Sequence, residues 1–139
     1  MKGNYTLTMI KPDAVSANRS GRILNMINDA GFRIVSLKML KMSKEQASIF
    51  YLIHKERPFY NDLVEYMSSG PVIAAILEKP DAVEAYRMLM GATNPAIAEE
   101  GTIRRLYGES IQRNAVHGSD SDENAVAESN FFFDVNERY

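Results

Sequence analysis

Two histidines and no cysteine leave this chain few groups able to do covalent chemistry near neutral pH. One of them, His117, stands in the run Asn114-Ala115-Val116-His117-Gly118-Ser119-Asp120-Ser121. Gly118 permits close backbone approach, and Ser119, Asp120 and Ser121 are local hydrogen-bonding and helix-capping types. That setting puts an imidazole at an accessible turn rather than on an apolar face. A neutral imidazole nitrogen can attack phosphorus and then serve as the leaving group in a return step. A turn histidine that only hydrogen-bonds locally is the commoner case, so the residue alone does not decide.

Were phosphate the group attacked, cations would be needed beside it. Arginine binds phosphate oxygens with a planar fork, and lysine acts as a point charge. Lys11 follows an apolar-alternating stretch and precedes Pro12, which constrains its backbone; Arg87 lies near the end of a helical pattern; Arg104 follows Gly101-Thr102-Ile103. Each taken singly reads as a solvated surface charge. Phe59, after Pro58, could stack on a planar ring, with Leu63 a turn further on and Ile111 as a second cover, although all three also suit an ordinary core. There is no Gly-x-x-x-x-Gly-Lys-Ser/Thr loop and no glycine-rich-loop kinase signature, so any phosphate grip must come from dispersed side chains. A metal site built on His54 and His117 lacks further ligands at a recognisable spacing.

The elements that must carry these residues follow from periodicity. Tyr5, Leu7 and Met9 alternate with Thr6 and Thr8 as a strand ending at Lys11-Pro12. Ser20 opens a helix with Ile23, Leu24, Ile27 and Ala30 on one face and Gly31 as its stop. Residues 32–42 read as a long strand. Ser43-Lys44-Glu45-Gln46 is a capping-box pattern for a helix to about Ile53, and a short helix follows over 62–68. Val72 to Leu77 is a nearly continuous apolar run, as a buried central strand requires. Asp81-Ala82-Val83-Glu84 reads as a second capping box, opening a helix closed by Gly91. Residues 92–101 are loop-like, 120–127 could form a short helix, and Phe131-Phe132-Phe133 reads as the last strand. The expected order is β-α-β-β-α-β: an α/β (α+β sandwich) chain with a ferredoxin-like, four-stranded antiparallel sheet, helices on one face and added helices between the second and third strands. Fold order alone leaves function open.

Composition narrows the classes. With 139 residues, 45% hydrophobic and 24% charged, the chain reads as one globular domain over residues 1–139. The absence of cysteine excludes a disulfide framework and fits a reducing, cytoplasmic setting. No signal-peptide pattern and no membrane-length apolar stretch are expected. Sixteen basic against eighteen acidic residues, a net charge of -2, argue against bulk binding to nucleic acid but not against a small polyanion in a local basic pocket.

Several segments, in order, resemble the nucleoside diphosphate kinase family. They are the run around His117, Thr6-Leu7-Thr8-Met9-Ile10-Lys11-Pro12-Asp13, Arg57-Pro58-Phe59-Tyr60, Met67-Ser68-Ser69-Gly70-Pro71-Val72, residues 89–96, and Gly101-Thr102-Ile103-Arg104. The resemblance covers nearly the whole chain. It implies transfer of the γ-phosphate of a nucleoside triphosphate such as ATP or GTP to a diphosphate such as GDP, by a ping-pong route through a phosphohistidine at His117. It further implies that Glu128 orients His117, that Tyr51 lies near it, and that Lys11, Arg87 and Arg104 converge on the phosphates. Thr93 and Asn114 would add neutral hydrogen bonds, and Phe59, Leu63 and Ile111 would hold the base. Mg²⁺ would arrive mostly on the nucleotide phosphates, with Asp120 reaching it through water. Assembly would be a homo-oligomer, a hexamer favoured over a tetramer, with no membrane and no nucleic acid required.

Departures from the family pattern are few. Glu100 stands where a proline is common, and Leu106 replaces an acidic residue often found two positions after the arginine, which bears on the packing of residues 92–110. Pro95 matches a proline that family members use near subunit contacts. The chain also lacks the longer C-terminal extension of many members. Two other classes fit parts of the pattern. A ferredoxin-like RNA-binding module would need aromatics alternating on two central strands, and 72–77 has none. A phosphohistidine carrier serving a protein acceptor would share His117 but not need Phe59 or Thr93.

Overall fold

The structure, a computed structural model, describes residues 3–139. Four strands form one antiparallel sheet: β1 (Tyr5–Ile10), β2 (Arg33–Leu40), β3 (Val72–Glu78) and β4 (Val116–Gly118), in the order β2-β3-β1-β4. Helices α1 (Pro12–Ser16) and α2 (Ser20–Asp29) follow β1. Helix α3 (Lys44–Phe50), a 3-10 turn (Leu52–His54) and α4 (Tyr60–Met67) lie between β2 and β3. Helix α5 (Ala82–Met90), a 3-10 turn (Pro95–Ile97) and α6 (Ile103–Tyr107) precede β4, and α7 (Asp122–Phe132) and a final 3-10 turn (Val135–Glu137) follow it. This is the expected β-α-β-β-α-β order on a ferredoxin-like sheet.

Side-chain alternation divides the interior in two. Ile10, Ile73, Ala75 and Leu77 point to one face and pack against Ile23 and Ile27 of α2 and Ala82, Tyr86 and Met90 of α5. Leu7, Met9, Val35, Ala74 and Ile76 point to the other, which Ala47, Tyr51, Leu63, Val64, Met67 and Phe132 cover from α3, α4 and α7. Helices therefore cover both faces, not one as expected. This is why β3 is apolar at consecutive positions: each face of a central strand needs its own partners. Fully burying side chains such as Ile23 and Ile27 contributes about 1.5–3 kcal/mol each.

Two local expectations are corrected. Phe131, Phe132 and Phe133 do not form the last strand; the first two end α7 and Phe133 is its C-cap. Ser121 caps that helix by accepting from the Asn124 N–H, and once the helix starts, propagation through Phe132 outweighs the strand preference of the phenylalanines. The closing strand is instead β4, only three residues long and pinned to β1 by pairing Thr8 with Gly118, Met9 with His117 and Ile10 with Val116. Asp81 is not the cap of a capping box: it takes a left-handed backbone (φ 56) and its side chain makes no cap hydrogen bond. Ser43, by contrast, forms the expected reciprocal capping box with Gln46.

Candidate active site

The twelve residues given catalytic, nucleotide or cation roles from the sequence all line one cleft of about 510 Å³, drawn from α4, α5, α6, β4, α7 and the segments between elements. Sequence distance is the first thing the fold removes. Lys11 follows β1 as the N-cap of α1, and its Nζ donates to Asn114 Oδ1 at 2.9 Å from more than a hundred positions away. The β1–β4 ladder is what brings the two together, and it carries His117 into the same cleft.

His117 is held from several sides. Its ring Nε2 lies 2.9 Å from Glu128 Oε1, with side chains 21% and 18% exposed. Ser119 Oγ donates to the same carboxylate oxygen at 2.8 Å, so Glu128 is itself aimed. With Nε2 donating to the carboxylate, Nδ1 carries the lone pair, which is the tautomer a nucleophile needs. The His117 carbonyl accepts from Thr8 Oγ1 at 2.9 Å. Phe50 and Tyr51 present edge-on ring contacts at 5.4 and 6.2 Å between centroids, which limit rotation of the imidazole. Gly118 is required: a Cβ there would meet Met90 Sδ and Tyr86 Cδ2, each at 2.8 Å.

The cationic side of the cleft is buried and already bonded. Lys11 is 8% exposed. Burial, and secondarily the Arg104 guanidinium, bring its ammonium down to about 8, with Asp13 opposing. Arg104, on α6, donates to the Gly91 carbonyl at 3.1 Å and the Val116 carbonyl at 3.0 Å, while its Nε is buried without a partner. Burial also lowers the Arg104 pKa, with Arg87 adding to the effect and Tyr86 opposing it. Asn114 is 2% exposed and also donates to the Thr93 carbonyl at 3.0 Å. Arg87 is exposed on the last turn of α5. Burial, and then Glu128, raise the Tyr51 pKa, so its phenol stays neutral. Its hydroxyl is buried without a partner and lines the cleft.

The other end is apolar and open. Phe59 is 47% exposed and Ile111 61%, while Leu63 is buried beneath them on α4. His54 lies in the cleft wall with its ring 5.6 Å from that of Phe59. Phe50 was not singled out at all, although it touches the imidazole; only its position beside Tyr51 hinted at it. Leu106 is exposed on α6, so its departure from the family pattern leaves Arg104 in the cleft.

Among the described residues, no group of three or more His, Cys, Asp or Glu side chains could cage a cation. Asp120 is the exposed carboxylate at the cleft wall, accepting from Asn124 Nδ2 at 2.5 Å. One hard oxygen donor beside a cationic pocket suits a cation that arrives with phosphate oxygens. Among the described residues, no helix is long and apolar enough to cross a membrane.

Known proteins resemble this chain throughout. The family model for nucleoside diphosphate kinase matches residues 4–138. A nucleoside diphosphate kinase from Flavobacterium psychrophilum is 56% identical over 139 residues, covering all of both chains. One from Lawsonia intracellularis is 55% identical over 134 residues, covering 96% of this chain and 97% of its own. Among solved structures, the Aquifex aeolicus nucleoside diphosphate kinase superposes with a TM-score of 0.96 at 42% identity, covering 98% of this chain and 99% of that one. A halophilic nucleoside diphosphate kinase from Halobacterium salinarum, in complex with CDP, gives 0.93 at 36% identity, covering 99% and 92%.

Proposed function

This chain belongs to the nucleoside diphosphate kinase family, and we propose that its cleft performs the family's transfer with His117 as the phosphoryl carrier. The reaction moves the γ-phosphate of a nucleoside triphosphate to a nucleoside diphosphate in two halves. His117 Nδ1 attacks the γ-phosphorus, the bond to the β–γ bridging oxygen breaks, and the diphosphate leaves. A second diphosphate enters the same cleft and its terminal oxygen takes the phosphoryl group back, restoring the neutral imidazole. The observation that carries this reading is the aimed imidazole, Nε2 on Glu128, in one cleft with Lys11 and Arg104. Glu128 stabilises the positive charge that the ring gains while phosphorylated.

Lys11, Arg104 and Arg87 hold phosphate oxygens, Thr93 and Asn114 add neutral donors, and Tyr51 packs beside the imidazole. Phe59 stacks on the base with Leu63 beneath and Ile111 across, a platform that distinguishes little between bases. Mg²⁺ would be the cation, held mainly by the nucleotide's phosphates with Asp120 as the nearby carboxylate, and it would supply neutralisation of phosphate charge. The working form is a homo-oligomer, a hexamer before a tetramer, in the cytoplasm.

Intact mass after mixing with ATP and Mg²⁺, then after adding GDP, tests the reading. One phosphoryl adduct at His117 that GDP discharges as GTP is the expected result. A folded, nucleotide-binding chain that never gains the adduct would overturn it.

A further inference from the structure

Three non-glycine residues among those described have positive φ: Asn18, Asp81 and Ala115. Asparagine and aspartate tolerate that region through their short polar side chains; alanine has no such compensation. Ala115 (φ 76) is fully buried and lies between Asn114 and the strand that carries His117. Something outside the residue must hold it there.

The holding groups are identifiable. The Ala115 carbonyl accepts from the Lys11 backbone N–H at 2.8 Å. The Ala115 N–H donates to Asp13 Oδ2 at 3.1 Å. The other oxygen of that carboxyl, Oδ1, accepts from the Tyr66 hydroxyl at 2.6 Å. Asp13 is 8% exposed, and the Arg113 guanidinium lies over the Tyr66 ring at 4.9 Å. One carboxyl thus ties the start of α1, helix α4 and the loop before β4. Neither Asp13 nor Tyr66 lines the nucleotide cleft.

We propose that Asp13, backed by Tyr66, is a positioning residue for phosphoryl transfer: it holds Ala115 left-handed and so sets the Lys11–Asn114 pair against His117. This rests on the functional reading of the cleft given above. Turning φ at 115 to a negative value would rotate the peptide that joins Asn114 to Ala115. The Lys11–Ala115 backbone bond and the Asn114 side-chain bonds to Lys11 and Thr93 could not all survive that rotation. Two donors meet two carboxyl oxygens, so an amide at position 13 can keep the bond to Ala115 and offer its NH₂ to the Tyr66 oxygen, whereas alanine keeps neither.

The test is single-turnover phosphorylation of the full chain by ATP and Mg²⁺, read by intact mass, beside thermal unfolding. Wild type must first form the adduct; its failure there would remove the functional reading and this proposal with it. Given that adduct, D13A is expected to phosphorylate about ten- to a hundredfold more slowly while still folded, with D13N and Y66F in between. Glycine adopts positive φ freely, so the loss caused by D13A should shrink in an A115G background. A purely structural role would lower thermal stability and leave both the rate and this coupling unmoved. A folded D13A at the wild-type rate, or an equal loss with and without A115G, overturns the proposal. Should D13A not fold, a wild-type rate in D13S, whose single short hydroxyl cannot serve both Ala115 and Tyr66, overturns it instead.

Discussion

The two ends of the cleft are built on opposite plans. Around Lys11, Arg104 and Asn114 the side chains are largely buried and hydrogen-bonded within the chain before any ligand arrives. Around Phe59 and Ile111 the walls are half exposed, apolar and without specific polar partners. A preorganised electrostatic site loses little to reorganisation during reaction, so its contribution is felt in rate. A flat apolar platform adds affinity for any planar ring and little discrimination. The pairing suits a transfer that holds the reacting phosphorus in one place while asking little of the base.

Substitutions can break this contrast, and the largest effect should come from the nucleophile. H117A is expected to lose at least about 10³-fold in turnover while still binding nucleotide, measured by coupled assay and calorimetry. Turnover close to wild type would show that another group carries the phosphate.

Next comes the buried cation. K11M should lower kcat/KM by about 10²-fold or more, because it removes a buried positive charge from the wall of the cleft. The pH dependence follows from its lowered value. In the free enzyme the Lys11 charge is complete well below pH 8 and is lost as pH rises through about 8. Bound phosphates favour the charged form, so binding near pH 8–9 should take up protons, visible as a buffer-dependent heat. The folded value lies below the ordinary lysine value of 10.5, so the unfolded chain binds more protons between about 8 and 10.5. Stability of the nucleotide-free protein should therefore rise with pH across that window, a rise K11M abolishes.

E128Q keeps the shape but not the charge beside Nε2, and should slow phosphoenzyme formation by about ten- to a hundredfold. The smallest effect belongs to the open end. F59A should weaken binding by about 1 kcal/mol, roughly fivefold in KM, and nearly equally for ATP, GTP and CTP. Strong base dependence of that loss would mean that the platform selects after all.

How much of this was legible in the sequence depends on the length of the signal. Strands β1 and β3 and helices α2 and α5 could be read because alternation or helical spacing persisted over many residues. Strand β4 has three residues, too few for any period, and its place was given instead to Phe131–Phe133, whose types favour a strand but whose helix was already capped at Ser121. The unbroken apolar run in β3 implies helices on both faces, whereas the expectation from element order put them on one. In the site, residues carrying charge or a nucleophile could be singled out, while their convergence depended on resemblance. Phe50, Asp13 and Tyr66 were given no role because their part in the site comes from contacts across the chain, to which adjacency to Tyr51 or Lys11 is only a hint.

The short ladder between β1 and β4 has a consequence for synthesis and folding. It joins position 8 to position 118, and Glu128 lies further on still. Such non-local closure is slow relative to local helix formation. Nearly the whole sheet can therefore assemble on a growing chain that has no catalytic ability at all. His117 and Glu128 meet only when the segment through α7 docks, so phosphorylation of His117, if followed during refolding, should lag behind formation of the β1–β3 pairing.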